Sequence, residues 1–112
     1  LLFTRTAAIS GGVTEGPAVA SDGDVYFTDI PVGKDPGMIM RFDPKTKETT
    51  TFSSDSGKAN GLAFDAEGFL IACEGSDSGG RRVSRWNIKT GQRIRVDGNT
   101  GNALAQNFDA GR

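Results

Sequence analysis

The sequence of 112 residues contains no histidine and one cysteine, Cys73, and its net charge is only −1. Without histidine, these residues offer no imidazole as a general base or as a metal ligand. A single cysteine cannot form an internal disulfide, so the sequence indicates neither an oxidising nor a reducing compartment. A cytoplasmic location and a periplasmic or secreted one are equally compatible with it.

Long apolar runs and clusters of positive charge are also missing. The apolar stretches are too short to cross a bilayer, which predicts a soluble protein without a membrane partner. The 13 basic residues are balanced by 14 acidic ones and are scattered, apart from the pair Arg81 and Arg82. This balance excludes nucleic acid as an expected partner and leaves no basic tail for a membrane surface.

Glycine, in contrast, is plentiful, with 16 residues. Glycine at this level, in the absence of any long helical pattern, favours an all-β protein with many tight turns. The distribution of apolar residues also favours an all-β protein, because they occur in short runs bounded by glycine, proline, aspartate or serine.

The sequence contains an internal repeat. The segment 14–23 recurs 45 positions later as 59–68, and the strand-like segment 25–29 recurs as 70–74. In each copy a polar residue precedes a glycine, a short apolar run follows, and a turn with an acidic residue and glycine closes it. A period in the forties is typical of propeller blades, solenoid turns or arrays.

Each copy is predicted to contain four strands. They cover residues 17–20, 25–30, 38–43 and 48–53 in the first copy, and residues 61–65, 69–74, 82–88 and 92–96 in the second. Four antiparallel strands at this period favour an all-β fold made of two four-stranded antiparallel blades of a β-propeller. We place blade one at about residues 15–53 and blade two at about residues 60–97, with the remainder leading toward a third blade.

Two blades do not close a propeller, which needs about four to eight. We therefore expect these 112 residues to be part of a longer propeller, or a protomer that closes a ring with copies of itself. A homo-oligomer of three such chains would have six blades.

Glu15 and Asn60 occupy the same position in the two repeats, just before a glycine. The innermost strands of a propeller line its central channel, so both side chains are expected at the channel mouth. Carboxylate and carboxamide oxygens suit hard cations such as Ca²⁺, Mg²⁺ or Mn²⁺. The alternative is that each side chain satisfies backbone groups at the start of a strand.

Asp29 and Glu74 are a second equivalent pair, each at the end of the second strand of its blade. Antiparallel second strands return to the rim that carries Glu15 and Asn60, so Asp29 and Glu74 are candidates for contacting the substrate or for supporting the residues that do. The alternative is that they are solvated strand ends.

The order and spacing of several segments resemble the SMP-30/gluconolactonase/luciferin-regenerating-enzyme family, in particular its bacterial gluconolactonase-like branch. The segments are 14–17, 26–31, 60–65, 70–75 and 81–83. The resemblance covers almost the whole chain and corresponds to the N-terminal portion of the family.

This resemblance implies a six-bladed propeller with one divalent metal at the top of the channel, Ca²⁺ first, with Zn²⁺ or Mg²⁺ as alternatives. It implies lactone hydrolysis, in which the metal polarises the lactone carbonyl and activates water. Glu15 matches a metal ligand of the family, and Asn60 matches a position facing the channel that we assign to the substrate side. The substrate would be a small lactone or sugar acid.

The resemblance also predicts what these residues lack. Residues 107–112 look like the approach to the family's third blade, so the general base is expected beyond Arg112 and no catalytic residue is assigned here. On their own, these residues are not expected to be catalytically competent. Two other interpretations stay open, a non-enzymatic propeller that binds a ligand or partner and the ring of blade pairs described above.

Overall fold

Two four-stranded antiparallel sheets make up the regular structure of the chain in a computed structural model that describes residues 12–75 and 79–96. The first sheet contains β1 (Val13–Val19), β2 (Val25–Ile30), β3 (Met38–Asp43) and β4 (Glu48–Ser53). The second contains β5 (Leu62–Phe64), β6 (Leu70–Cys73), β7 (Val83–Trp86) and β8 (Arg93–Val96). Both sheets run in chain order, so each is one propeller blade.

The two predicted blades are confirmed, and in blade one β2, β3 and β4 have the predicted bounds. The residues predicted to lead toward a third blade lie outside the described part of the chain. Within the described part, no helix is long and apolar enough to span a membrane.

The first strand is longer than predicted. It begins at Val13 instead of residue 17, because the chain stays paired with β2 through an irregularity after Glu15. Gly16 makes this possible by adopting a φ of 56°, a conformation that glycine reaches without steric cost. Glu15 therefore lies within the strand and not ahead of it, which corrects the sequence-based placement.

The hydrophobic core lies between the two blades. Tyr26 of β2 packs edge-on against Phe64 of blade two, with ring centroids 5.6 Å apart, and Phe52 of β4 approaches Trp86 at 5.9 Å. Tyr26 and Phe52 also contact each other at 5.4 Å. Small or aliphatic residues fill the spaces around these rings, including Ala20, Ile39, Ala59, Leu70 and Ala72. Burial of these apolar groups fixes how one blade sits against the next.

The interblade connector, residues 54–61, joins the outermost strand of blade one to the innermost strand of blade two. It is hydrogen-bonded to the loop 31–37 that follows β2, since the amides of Ser56 and Lys58 donate to the carbonyls of Gly37 and Pro36 at 3.1 and 2.6 Å. The Lys58 ammonium also donates to the carbonyls of Pro31 and Gly33. These contacts hold both segments on the rim where β2 ends.

Candidate functional site

Glu15 lies on the innermost strand of blade one, directly opposite Thr28 of β2, and its side chain is exposed. Because β1 forms no further strand contact within its own sheet, Glu15 is on the edge that faces a propeller channel. The position is that of a residue available to a ligand. The metal-ligand role itself stays a prediction.

Asn60 lies in the interblade connector, two residues before β5 begins, and its side chain is also exposed. Its backbone is anchored in blade two, since the Asn60 amide donates to the Cys73 carbonyl at 3.0 Å and the Cys73 amide donates to Gly61 at 2.9 Å. The main chain is thus held firmly while the carboxamide is left accessible.

The structure brings the main chains of Glu15 and Asn60 close together across the blade boundary. The Thr28 hydroxyl lies 3.1 Å from the carbonyl oxygen of Glu15 and 3.0 Å from that of Asn60. At the same place, a Cβ atom built on Gly16 would lie 2.1 Å from the Asn60 carbonyl oxygen. The backbone of β1 at Gly16 therefore touches the interblade connector at Asn60.

Asp29 lies on the same rim, opposite Thr14 of β1 and Met38 of β3. It is fully buried, so the solvated strand end considered as an alternative is not what the structure shows. Because side chains alternate along a strand, Asp29 points to the face of blade one opposite to that of Thr28. It is near the candidate site in sequence and rim position, and its proposed substrate contact stays a prediction.

Glu74 is placed differently from a channel residue. Its side chain is 0% exposed, and its carboxylate forms ion pairs with Arg82 at 2.9 Å and Arg93 at 3.5 Å. Gly57 and Gly80 line the same spot so closely that a Cβ on either would fall within 2.0 Å of the carboxylate oxygen. Glu74 thus faces the interblade connector, which favours a structural role, and the predicted substrate contact is untested.

The opposite rim carries a set of ion pairs instead. Arg41 binds Asp24 at 2.5 Å, and Arg85 binds Asp65 at 2.9 Å and Glu67 at 3.0 Å. The hydrogen bond to Asp24 raises the pKa of Arg41 above its ordinary value. Burial raises the pKa of Tyr26, which lies beside this pair. These contacts hold the β1–β2 and β5–β6 turns, far from Glu15 and Asn60.

The described residues do not by themselves fit a divalent metal. No group of three or more His, Cys, Asp or Glu side chains that could hold an ion occurs among residues 12–75 and 79–96. Glu15 and Asn60 supply two oxygen donors, whereas Ca²⁺ takes six to eight oxygen ligands. Any metal at this rim would need further ligands or water molecules.

Sequence reasoning missed Thr28 and the partners of Glu74. The sequence does offer one signal for Thr28, since it is a polar residue that directly follows the aromatic pair Tyr26 and Phe27 in a strand. Its partner Asn60 is 32 residues away, and no local pattern indicates which carbonyl a hydroxyl will meet across a blade boundary.

Comparison with known proteins agrees with this architecture. No family model matches the chain. Over 72 residues it is 39% identical to Protein STRICTOSIDINE SYNTHASE-LIKE 3 of Arabidopsis thaliana, an alignment that covers 52% of this chain and 18% of that protein. It is similar in structure to a gluconolactonase from Xanthomonas campestris, with a TM-score of 0.61 and 22% identity, covering 76% of this chain and 26% of that one.

The structural match confirms the β-propeller fold. The matched regions span only 18% of the Arabidopsis protein and 26% of the Xanthomonas gluconolactonase.

Proposed function

We propose that this chain forms two blades of a lactone-hydrolysing propeller of the SMP-30/gluconolactonase kind. The observation that carries the proposal is that the main chains of Glu15 and Asn60 meet at the blade boundary, where both carbonyls lie within reach of the Thr28 hydroxyl and both residues are exposed. The similar propeller from Xanthomonas campestris is named as a gluconolactonase, which supports a lactone as the substrate class.

In this proposal Glu15 and Asn60 have separate roles. The exposed Glu15 carboxylate on the innermost strand would be one ligand of a divalent cation, Ca²⁺ first, with Zn²⁺ or Mg²⁺ as alternatives. The Asn60 carboxamide offers both a donor and an acceptor, which suits the hydroxyl groups of a sugar lactone. Asp29 and Glu74 remain proposed substrate contacts of lower rank, because both side chains are buried.

A cation at such a site would polarise a carbonyl and lower the pKa of bound water. The described residues do not complete its ligand set, so the remaining ligands and the general base would come from other parts of the propeller.

The test is hydrolysis of glucono-δ-lactone by the full-length protein and by its Glu15→Gln variant. Glutamine has nearly the shape of glutamate but no charge, so the fold should be kept while the cation is held less well. We expect kcat/KM to fall about a hundredfold or more, the scale seen when a group that supports the transition state is removed. Ca²⁺ affinity, measured by titration calorimetry, should fall in parallel.

Glu48→Gln is the matched control, because Glu48 is an exposed carboxylate on the outermost strand of blade one. It should leave both turnover and Ca²⁺ affinity unchanged. Unchanged turnover in Glu15→Gln, with Ca²⁺ still bound, would contradict the proposal. No hydrolysis by the unmodified protein would favour a propeller that only binds its ligand.

A further inference from the structure

We propose that Thr28 is a positioning residue that fixes the distance between Glu15 and Asn60 across the blade boundary. Thr28 lies in β2 and is fully buried, so it has no contact with solvent. It would act only through the two main-chain segments that it joins.

The geometry makes Thr28 a bridge between the blades. A threonine hydroxyl has one proton to donate, and two carbonyl oxygens lie within reach, at 3.1 Å for Glu15 and 3.0 Å for Asn60. The single proton is shared between one carbonyl from each side of the boundary, so this hydrogen bond depends on the spacing of the two carbonyls.

Each carbonyl belongs to a candidate site residue, so the bridge acts next to the exposed side chains. Asn60 is held to blade two by its own amide, which donates to Cys73. Glu15 is held to β2 by its strand pairing. The Thr28 hydroxyl lies between these two anchored segments, within reach of a carbonyl of each.

The backbone of Gly16 lies so close to the connector that a side chain there could not replace the hydrogen bonds of Thr28. The site where a Gly16 Cβ would sit is 2.1 Å from the Asn60 carbonyl and 3.1 Å from the Leu62 amide. A side chain at position 16 therefore could not hold the connector in place of Thr28, because its Cβ would overlap the main chain of the connector.

The effect of Thr28 on cation binding rests on the proposed function. Its effect on the two main-chain segments does not, and can be tested alone. Hydrogen–deuterium exchange needs neither metal nor substrate. In Thr28→Val, which keeps the shape and removes the hydroxyl, amides of residues 13–16 and 60–62 should exchange about fivefold to tenfold faster. Thr28→Ser, which restores the hydroxyl, should exchange as the unmodified protein does.

Thr51→Val is the matched control, since Thr51 is exposed on β4 and distant from the bridge. It should leave exchange in both segments unchanged. If Thr28→Val does not fold, the comparison of Thr28→Ala with Thr28→Ser asks the same question. Unchanged exchange in the variant without the hydroxyl, or equal effects of Ser and Val, would overturn the inference.

A second measurement separates positioning from a general loss of stability. We expect Thr28→Val to weaken Ca²⁺ binding about tenfold, and to weaken it no further when Glu15→Gln is already present. Additive effects would contradict the positioning role. If the unmodified protein binds no Ca²⁺, the metal part of the proposed function fails, and the exchange result alone decides the role of Thr28.

Discussion

Asp65 shows how a single carboxylate holds a turn at the rim away from the candidate site. It accepts hydrogen bonds from the amides of Glu67 and Phe69 and from the Arg85 guanidinium, each at 2.9 Å. Burial alone would raise the pKa of Asp65, but these hydrogen bonds outweigh it and the pKa is lowered. The native state therefore favours the charged form of this residue.

A lowered pKa in the native state predicts acid sensitivity. The contribution of Asp65 is fully present above its unfolded pKa of about 3.9 and is lost as the pH falls through the native value. We expect Asp65→Asn to lower the melting temperature at pH 7, and the difference from the unmodified protein to shrink steadily below about pH 4.

The measurement is thermal unfolding between pH 7 and pH 2. Glu48→Gln, an exposed carboxylate on β4, serves as the control and should change the free energy of unfolding by no more than about 0.5 kcal/mol. A difference between Asp65→Asn and the unmodified protein that stays constant down to pH 2 would show that the charge of Asp65 is not the cause.

At the scale of elements, the interblade connector is held by a buried ion-pair cluster. The Glu74 carboxylate binds Arg82 and Arg93, while Arg93 also donates to the carbonyl of Asp55 in the connector at 3.2 Å. The Gly75 and Gly80 amides both donate to the Gly57 carbonyl, at 2.9 and 3.0 Å. The end of β6, the start of β7 and the outer strand β8 thus all meet the connector at Glu74.

We expect Glu74→Gln to destabilise the protein by about 3 kcal/mol, because it leaves two arginine charges without their buried partner. The connector should become the first site of cleavage in limited proteolysis, since its contacts depend on this cluster. Chemical denaturation measures the first effect and mass spectrometry of the fragments the second.

Glu67→Gln is the paired comparison, because Glu67 also binds an arginine but its side chain is 77% exposed. An exposed ion pair contributes little, so this variant should change stability by less than about 1 kcal/mol. Equal losses in the two variants would mean that burial of Glu74 is not what makes its ion pairs important.

At the scale of the whole molecule, aromatic rings couple the two blades. Phe64 is half-buried at the blade boundary and packs on Tyr26, whereas Phe69 is half-buried within blade two and packs under Arg85, 3.7 Å from the ring centroid. The two phenylalanines are similar in exposure and differ in which contact they make.

We expect Phe64→Ala to cost about 3 kcal/mol and to separate the unfolding of the blades, so that fluorescence and circular dichroism no longer give the same transition. Phe69→Ala should lower stability without separating the two transitions. Coincident transitions in Phe64→Ala would show that the blades are coupled mainly by other contacts.

Much of the fold could be predicted from the sequence, and the reasons are local. The bounds of β2 and β3 follow from apolar runs flanked by glycine or proline turns, β4 follows from a threonine-rich run after the turn at Pro44, and the repeat assigns the strands of blade two. The start of β1 could not be predicted, because pairing continues through the positive φ of Gly16. Glu15 and Asn60 were found from the repeat, but the Thr28 bridge and the Glu74 cluster depend on contacts between segments far apart in the chain.

The reactivity of the Cys73 thiol can show whether another blade covers the outer face of blade two. Ala72 packs in the core toward blade one, so the neighbouring Cys73 points to the other face of the same sheet, where it is exposed. It is the only cysteine in the sequence. Its rate of alkylation by iodoacetamide therefore reads out that face directly: fast reaction in the native protein means an open sheet, and slow reaction means that another blade lies on it.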